Sequence, residues 1–474
     1  MKFLKNLQVL SKDEIYRMHM NIMEVLWQVG IMVEEKQSLK LLEKNGAKVD
    51  YELQRAYLPP ELIQRCLQSK SHTHSFYDAA GEKVIDYGGS KTYFSTGGYS
   101  TTFVDDDGTL KQGTYEALER EARLIDVIDE IDMSMPSIQP CDMPAEAQDL
   151  YMAKCLLTNS RKPMHTVANS GKGAEGIIQM AAEVMGGEEV LRKKPHLIFN
   201  ICTFSPLGIR KDACEVIRTA AQYRIPCAFS TGSMAGATSP VTLAASVVQS
   251  FAEVIGHIVL AECYAPGMPV SILHATRIFD MKFASCTVAT PEFPVIKIAA
   301  SQMARFYRIP IGAVGPVSDS NEFDVQFGWE KFMTGFLIRQ SGMNMEYEVG
   351  MYSQLNQFSY ICLALDAELI RIMNRIGRGM EVNDNSLAFD VLEQEGVKAE
   401  FLSNKHTLTN FKSEFMAPIL TDRAPYTNYL KRNGKGNLVS RAVDQLKKYD
   451  ESYNYTAGRE KEEELQKILE EYSH

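Results

Sequence analysis

The segment Tyr223-Arg-Ile-Pro-Cys-Ala-Phe-Ser-Thr231 decides the fold, because it joins the end of an amphipathic helix to a short buried strand. The helix is predicted over 212–223, and Pro226 stands where it has ended, since proline disfavours a helical conformation in the residue before it. Two other segments repeat this junction, namely Ala265-Pro-Gly-Met-Pro-Val270 and Tyr307-Arg-Ile-Pro-Ile-Gly312. A junction that recurs in this way is typical of repeated βαβ units.

Short apolar runs alternate with helical stretches from Thr114 onward. Strands of about five residues between helices of ten or more indicate a parallel sheet. Seven strands are predicted directly, at 133–138, 164–168, 196–202, 227–231, 270–274, 311–314 and 343–349. We predict an α/β fold of the (β/α)8 TIM barrel type, which requires an eighth strand. We place this strand in the less regular region 377–390. An open doubly wound sheet is the alternative that the strand pattern alone leaves open.

The residues on either side of this region predict two appended layers. Ser11 and Glu14 form a capping box at the start of an amphipathic helix, and residues 73–105 have the composition of β-hairpins. The predicted organisation is an N-terminal helical and hairpin layer over 1–112, the barrel over 113–400, and a C-terminal helical extension over 401–474, which ends in a charged helix.

Composition excludes several classes of partner. Hydrophobic residues make up 45% and charged residues 23% of the chain, so it can bury a substantial core. The net charge of −10, without a long basic cluster, disfavours a nucleic-acid or anionic membrane surface. The apolar segment 241–264 carries Glu253, His257 and Glu262, which argues against a membrane span, and the N-terminus does not resemble a signal peptide. We expect a cytoplasmic protein that binds small molecules or proteins.

Neither a metal site nor a covalent nucleophile is indicated. The nine cysteines occur singly, which predicts reduced core residues rather than disulfides or a thiolate zinc site. Only Cys202, His274 and Cys286 are candidate ligands at strand ends, and no His-Glu-x-x-His sequence occurs, so we predict no bound metal. The Gly-rich loop 232–240 lacks the Lys-Ser or Lys-Thr of a P-loop, and no Gly-x-Ser-x-Gly elbow is present.

Several loop segments resemble the trimethylamine methyltransferase superfamily. They span nearly the whole chain in the right order: Ser95-Thr-Gly-Gly-Tyr-Ser-Thr-Thr-Phe-Val-Asp-Asp106, Met234-Ala-Gly-Ala-Thr-Ser-Pro-Val-Thr-Leu-Ala244, Pro266-Gly-Met-Pro-Val270, residues 315–331 and His406-Thr407. This resemblance implies a (β/α)8 barrel that passes a methyl group from a methylamine to the cobalt of a separate corrinoid protein. The cobalamin or related corrinoid would then be supplied by that partner protein.

The loop after the sixth predicted strand limits the range of substrates that the resemblance implies. Trimethylamine-specific members of the family carry pyrrolysine in or near this loop, whereas the loop here reads Asp319-Ser-Asn-Glu-Phe-Asp324. The chain therefore resembles members that demethylate quaternary amines, such as glycine betaine, proline betaine, carnitine or γ-butyrobetaine. A quaternary ammonium needs no activating residue, because it leaves as a neutral tertiary amine. Alternatives are a methyltransferase of the same fold for another N- or O-methyl compound, and a non-catalytic betaine-binding protein.

The resemblance also implies a site that holds a permanent cation, which aromatic faces bind well. The loop aromatics available for this role are Tyr99, Phe204, Tyr347, Tyr352 and Phe358, and we expect two or three of them to touch the substrate. Alternation along the last predicted strand places Glu348 on one face with Asn344 and Glu346. We expect Glu348 to face inward and balance the ammonium, with a buried ion pair as the alternative.

The remaining predicted site residues bind the carboxylate of the substrate or face the corrinoid. Arg277, beside His274, is the best-placed partner for a betaine carboxylate, with a structural role in its loop as the alternative. We expect Gly97, Gly98, Asp319, Ser320 and Asn321 to face the corrinoid. Because barrels of this size commonly self-associate, we also expect a homo-oligomer.

Overall fold

The computed structural model describes residues 7–398, 400–431 and 436–473. Seven parallel strands form a curved sheet in the order Tyr93–Phe94, Met345–Tyr347, Ile311–Val314, Val270–His274, Cys227–Thr231, Leu197–Cys202 and Met164–Thr166. Residues 133 and 134 join the two edges of this sheet, because they form parallel bridges to Ser95 and Met164 respectively. The sheet thus closes into an eight-membered α/β barrel, which confirms the predicted fold class.

The barrel strand that the sequence analysis missed is Tyr93–Phe94, which pairs in parallel with Met345–Tyr347. The prediction of a strand in 377–390 is wrong, because that region contains no strand and includes parts or all of the helices Tyr360–Arg378, Asp384–Leu387 and Phe389–Glu395. A two-residue strand is too short to show an alternating pattern, and its neighbours have the composition of hairpins. It lies inside the range 1–112 that we assign to the N-terminal layer, and the limits of the three domains remain predictions.

A helix follows each barrel member and packs outside the sheet. In chain order these helices are Tyr115–Val127, Gln148–Asn159, Gly171–Met185, Lys211–Tyr223, Leu243–Tyr264, Glu292–Tyr307, Val325–Gln340 and Tyr360–Arg378. The helix Leu243–Tyr264 is, within the described residues, the one segment long and apolar enough to cross a membrane. However, 78% of its most apolar stretch is buried inside the protein, where it packs against neighbouring helices as a core helix.

The N-terminal layer consists of helices Lys12–Glu24, Lys36–Lys44 and Pro60–Ser69 with two small sheets. The predicted capping box is confirmed, because the backbone N–H of Ser11 donates to Glu14 at 2.8 Å while the backbone N–H of Glu14 donates to the Ser11 hydroxyl. One sheet has the strand order Gly208–Ile209, Ile31–Val33, Arg55–Tyr57 and Lys48–Asp50, and the other is the hairpin His74–Tyr77 with Lys83–Tyr87. The hairpin reaches the barrel interior, where the hydroxyl groups of Tyr87 and Tyr347 lie 3.1 Å apart.

Two further small sheets are built from the loops that follow barrel strands. One contains Met234–Ala235, Arg277–Asp280 and Ser285–Thr287, and the other contains Met351–Tyr352, Gln357–Ser359, Thr102–Val104 and Leu110–Gln112. The helix Phe389–Glu395 precedes the C-terminal extension, which has the helices Lys405–Glu414, Tyr426–Lys431, Leu438–Ser452 and Arg459–Tyr472. The last helix, which is the predicted charged helix, packs on Gly171–Met185 and buries Leu465 and Leu469.

Candidate active site at the mouth of the barrel

A cavity of about 310 Å³ lies at the carboxyl ends of the barrel strands, and we call it the mouth cavity. Its lining comes from the ends of six of the eight barrel members and the loops that follow them, through Gly98, Tyr99, Met135, Asn200, Cys202, Thr203, Ser205, Ser230, Gly232, Met234, Thr238, Leu273, Ala275, Arg277 and Glu348. Another cavity, of about 610 Å³, lies at the opposite end of the barrel. Although it is larger, the carboxyl end is where essentially all barrel enzymes hold their reactive groups, so the mouth cavity is the candidate active site.

Glu348 enters the mouth cavity because the barrel strand stops one residue before it. The strand ends at Tyr347, and Glu348 has a left-handed backbone with a φ of 71°. Its Oε2 atom is buried and has no hydrogen-bond partner among the described residues. Burial raises the pKa of the Glu348 carboxyl above its ordinary value, and the positive charges of Arg277 and Lys297 offset part of this rise.

Arg277 lines the same cavity from the short hairpin after the strand Val270–His274. Its Nε atom donates to the carbonyl oxygen of Ala275 at 3.2 Å, and its Nη1 atom lies 3.7 Å from the sulfur of Cys286. Within the described part of the chain, Arg277 and Glu348 do not form an ion pair with each other. The cavity therefore offers a positive and a negative group that both remain available to a ligand.

Two neutral polar groups of the lining are also unpaired. The hydroxyl of Tyr99 and the Oδ1 atom of Asn200 are buried without a hydrogen-bond partner in the described residues. Tyr99 has a φ of 51°, a conformation that non-glycine residues rarely adopt. Since buried polar atoms in folded proteins are almost always hydrogen-bonded, unpaired atoms of Tyr99, Asn200 and Glu348 around one cavity indicate a ligand-binding site.

The loops on one side of the mouth cavity are held by Glu253, which is fully buried on the helix Leu243–Tyr264. Its Oε2 atom accepts hydrogen bonds of 2.8 Å from the hydroxyls of Thr203 and Ser205, and its Oε1 atom accepts one of 3.1 Å from the backbone of Leu207. Thr203 and Ser205 line the cavity. A single carboxylate thus fixes the loop that follows the strand Leu197–Cys202.

Lys297 fixes the segment that carries Arg277, much as Glu253 fixes its loop. It is fully buried on the helix Glu292–Tyr307, and its Nζ atom donates to the carbonyl oxygens of His274 at 2.7 Å and Thr276 at 2.6 Å. Burial lowers the pKa of the Lys297 amine well below its ordinary value. These two bonds fix the end of the strand from which Arg277 is presented to the cavity.

A family model described as trimethylamine methyltransferase (MTTB) matches residues 1–471 of this chain. The chain belongs to this family, and it is a methyltransferase. It is 30% identical over 444 residues to the trimethylamine methyltransferase MttB of Desulfitobacterium hafniense, an alignment that covers 94% of this chain and 89% of the relative. It is 29% identical to a glycine betaine methyltransferase of Desulfitobacterium hafniense strain Y51, with coverage of 91% and 90%.

A solved structure supports the fold of this methyltransferase. The monomethylamine methyltransferase MtmB of Methanosarcina barkeri superimposes with a TM-score of 0.51 over 95% of this chain and 96% of its own. The two sequences are 12% identical, so this similarity concerns the fold alone.

The methyltransferase brings only some of the predicted substrate-binding residues to the mouth cavity. Tyr99, Arg277 and Glu348 line it. His274 does not, because it is fully buried below the cavity with its Nε2 atom 3.2 Å from the Ser250 hydroxyl, and burial lowers the pKa of its imidazole well below the ordinary value. Phe204 is 45% exposed on the loop at the edge of the mouth.

The other predicted aromatic residues pack elsewhere. Tyr352 is buried against the rings of Phe323 and Phe327, and Phe358 is fully buried against Tyr360. Tyr347 lies deep in the barrel, where its ring meets that of His165. Tyr99 is therefore the one aromatic residue in the described lining of the cavity, and the expected contact with two or three rings has no support in this arrangement.

The residues predicted to face the corrinoid fall into two groups. Gly98 lines the mouth cavity, and Gly97 beside it donates its backbone N–H to the Ser137 hydroxyl at 3.1 Å. Asp319 instead accepts hydrogen bonds from the backbone N–H groups of Val288 and Ala289. The Ser320 hydroxyl donates to Asp324, and Asn321 accepts a hydrogen bond of 2.6 Å from the Ser353 hydroxyl. The loop 319–324 is thus tied to its surroundings by its own polar side chains.

The sequence analysis missed Asn200, Ser230 and Glu253. Asn200 lies inside an otherwise apolar strand and Ser230 follows three apolar residues in its strand, and a polar residue at such a position is the signal that could have identified them. Glu253 was interpreted only as evidence against a membrane span. In the described residues no group of three or more His, Cys, Asp or Glu side chains is arranged to hold a metal ion.

Proposed function

We propose that this methyltransferase moves a methyl group from a quaternary amine of the betaine type to cobalt(I) of a cognate corrinoid protein. The observation that carries the proposal is the unpaired carboxylate oxygen of Glu348 in a cavity that is also lined by Arg277, whose guanidinium has no carboxylate partner among the described residues. A betaine has a permanent cation and a carboxylate a few bonds apart. The two charges of the cavity are complementary to that zwitterion.

Glu348 and Tyr99 would hold the trimethylammonium end. A carboxylate and a cation about 4 Å apart attract each other by roughly 1–4 kcal/mol in environments between water and a protein surface. An aromatic face adds about 0.5–2 kcal/mol. Because a quaternary nitrogen has no N–H group, it is recognised by charge and shape, and the ionised form of Glu348 is the one that binds it.

Arg277 would hold the carboxylate end and so orient the substrate. Its guanidinium can form two parallel hydrogen bonds with a carboxylate, which fix direction as well as position. Lys297 holds the strand end from which Arg277 projects. Holding both ends of the substrate directs one N-methyl group towards the opening, and such positioning supplies much of the rate of a group transfer.

No side chain of this chain is required to accept the methyl group. Cys202 is the thiol in the cavity lining, and desolvation raises its pKa above the ordinary value, so the unreactive protonated form predominates at neutral pH. When the corrinoid protein is docked, its cobalt(I) supplies the nucleophile. The residues of the mouth bind the substrate, orient it and exclude water.

The rim of the mouth suits a protein partner that carries a corrinoid. Phe204, Val241, Met281 and Phe283 are 45–70% exposed and come from loops after three successive barrel strands. Exposed apolar clusters of this kind are typical of interaction surfaces. We therefore place the docked corrinoid protein on this rim, with Gly98 next to the opening.

The relatives include methyltransferases named for trimethylamine and for glycine betaine. We favour a quaternary amine, because the loop 319–324 has no pyrrolysine and its polar side chains are engaged in hydrogen bonds with neighbouring segments.

Calorimetry compares each betaine with the isostere in which a neutral carbon atom replaces the quaternary nitrogen. We expect glycine betaine to bind at least about tenfold more tightly than 3,3-dimethylbutanoate, and Glu348→Gln to abolish the difference. Equal affinities for the two ligands in the unaltered protein would contradict the proposal. Carnitine, γ-butyrobetaine and proline betaine, measured in the same way, would identify the substrate.

We also propose that the protein acts in the reducing cytoplasm as a homo-oligomer. All nine cysteines are free thiols, which fits a reducing compartment. The part of the chain that follows the last barrel helix exposes large apolar side chains, among them Met380, Phe389, Leu402 and Phe415, each at least 70% exposed. Sedimentation equilibrium should show an assembly larger than the 53.2 kDa monomer, and Phe389→Ser with Phe415→Ser should weaken it.

A further inference from the structure

The cavity of about 610 Å³ at the amino end of the barrel strands is unrelated to the mouth cavity, and we call it the amino-end cavity. It is bounded by the first residues of the strand Ile311–Val314, by Asn344, and by the segment 88–92. Three arginines line it, namely Arg305, Arg308 and Arg339, together with His72. The lining contains no Asp or Glu. In a chain with a net charge of −10, this concentration of positive charge is opposite to the average.

Arg339 is the most unusual member of this group. It is only 6% exposed at the end of the helix Val325–Gln340, and its buried Nη1 atom has no hydrogen-bond partner within the described ranges. Its guanidinium lies over the ring of Phe94, at 5.7 Å from the ring centre. Arginine is almost never buried without a partner, because an unpaired buried charge is costly. An anion in the amino-end cavity would remove that cost.

The protein's own acids do not supply this anion. Glu346 is the acid with the largest electrostatic effect on Arg339, but it is fully buried and neither of its carboxylate oxygens has a hydrogen-bond partner in the described residues. Burial raises the pKa of Glu346 well above its ordinary value, which favours a neutral carboxyl. Asp132 also faces Arg339 electrostatically, but its Oδ1 atom is 3.5 Å from Lys91 and its Oδ2 atom accepts from the backbone of Phe94.

The other two arginines differ in how firmly they are held. The Nη1 atom of Arg305 donates to the Ser301 hydroxyl and to the carbonyl oxygen of Ser341, both at 2.6 Å, so this side chain is fixed at the edge of the cavity. Arg308 is exposed, and no ion pair or hydrogen bond of its side chain is found in the described residues. One anchored, one buried and one free guanidinium thus surround the same space.

We propose that the amino-end cavity is a binding site for a phosphate-bearing small molecule. Planar guanidinium groups match the geometry of phosphate oxygens and bind them in pairs of hydrogen bonds. The cavity has the volume of a small-molecule site, which is about 300–1,000 Å³. Gly88, Gly89 and Gly342 in its lining allow the ligand to approach the backbone closely.

Calorimetric titration with inorganic phosphate and with pyrophosphate tests the proposal, at about 0.15 M ionic strength to suppress unspecific attraction. Arg308→Gln should weaken pyrophosphate binding at least about tenfold, because it removes charge-assisted hydrogen bonds. Arg459→Gln is the matched control, since it removes the same charge from an exposed C-terminal helix and should leave binding unchanged. Absence of binding of both anions, or equal affinities in Arg308→Gln and the unaltered protein, would overturn the proposal.

A second variant separates ligand binding from a structural role of Arg339. In phosphate-free buffer we expect Arg339→Met to leave the Tm unchanged or to raise it, because it removes an unpaired buried charge. The increase in Tm that pyrophosphate causes in the unaltered protein should disappear in this variant. If Arg339 instead serves as the counter-ion of Glu346, Arg339→Met will lower the Tm without phosphate and the pyrophosphate effect will persist, which contradicts the proposal.

Discussion

Arg277 and Glu348 face the same cavity from loops that follow two different barrel strands, and the charge of Arg277 partly offsets the rise in pKa that burial causes at Glu348. The two side chains are close enough for this electrostatic effect, yet they leave each other's hydrogen-bonding groups free. If the two buried side chains formed an ion pair, their charges and hydrogen-bonding groups would be used by each other and not by a ligand. This arrangement is why we interpret the two residues as the two ends of a zwitterion site.

Glu348→Gln should lower kcat/KM for a quaternary amine at least about tenfold, because it removes the charge that opposes the ammonium. The effect should appear mainly in KM, since the carboxylate attracts the substrate before and during methyl transfer. Glu322→Gln, at an exposed position in the loop after the strand Ile311–Val314, is the control and should behave as the unaltered protein does.

Substrate affinity should increase with pH. Burial raises the pKa of Glu348, so the carboxyl remains neutral to a higher pH than an ordinary glutamate, and only the ionised form attracts the cation. The stability of the ligand-free protein should instead decrease with pH. The contribution of the Glu348 carboxyl to the free energy of unfolding is present at low pH and is lost as the pH rises through its raised pKa. Isothermal titration with a betaine across the acid range measures the first effect. A pH-independent affinity, or one that Glu348→Gln leaves equally pH-dependent, would contradict this role.

Arg277→Gln should discriminate between substrates with and without a carboxylate. Loss of the guanidinium removes the partner of a betaine carboxylate but not of the ammonium group. We expect KM for glycine betaine to rise by about tenfold or more, whereas binding of tetramethylammonium should change little or improve. An equal loss for both ligands would indicate that Arg277 serves only to anchor its loop. Arg277→Lys retains the charge and tests whether paired hydrogen bonds are needed.

Lys331 and Asp366 form a buried ion pair of 2.7 Å that ties together the segments after the last two barrel strands. Lys331 also donates to the carbonyl oxygens of Pro316 and Met351. Lys331→Met alone should lower the free energy of unfolding by about 3–5 kcal/mol, because it leaves Asp366 uncompensated. The double variant Lys331→Met with Asp366→Leu should recover part of this loss. Urea unfolding measures both, and equal stability of the single and double variants would refute the coupling.

The repeated helix-to-strand junctions made the barrel predictable, because its helices are long and six of its strands have three or more residues. Tyr93–Phe94 escaped prediction because a two-residue strand carries no periodicity. Glu348 was predicted to face inward together with Glu346, by simple alternation. In the structure Glu346 lies beside the helix Val325–Gln340, and Glu348 reaches the cavity through its left-handed backbone.

The aromatic residues show a different limit of sequence reasoning. Phe358 and Tyr352 follow a barrel strand closely, but Tyr352 packs against the distant Phe323, and Phe358 packs against Tyr360, whose ring also meets the distant Phe103. A loop aromatic can either pack or contact a ligand, and the choice depends on neighbours that sequence spacing does not specify. Asn200 and Glu253 were overlooked for the converse reason, since their roles arise from the way the barrel brings separate loops together.

Methyl transfer to a free corrinoid is the most direct test of the proposed activity. The unaltered protein would be mixed anaerobically with cobalt(I) cobalamin and glycine betaine, proline betaine, carnitine, γ-butyrobetaine or trimethylamine, and methylcobalamin would be followed by its absorbance. We predict methylcobalamin with at least one quaternary amine, a rate at least about tenfold lower for Glu348→Gln, and none with trimethylamine. Methylation from trimethylamine alone, or from no quaternary amine that measurably binds, would contradict the account.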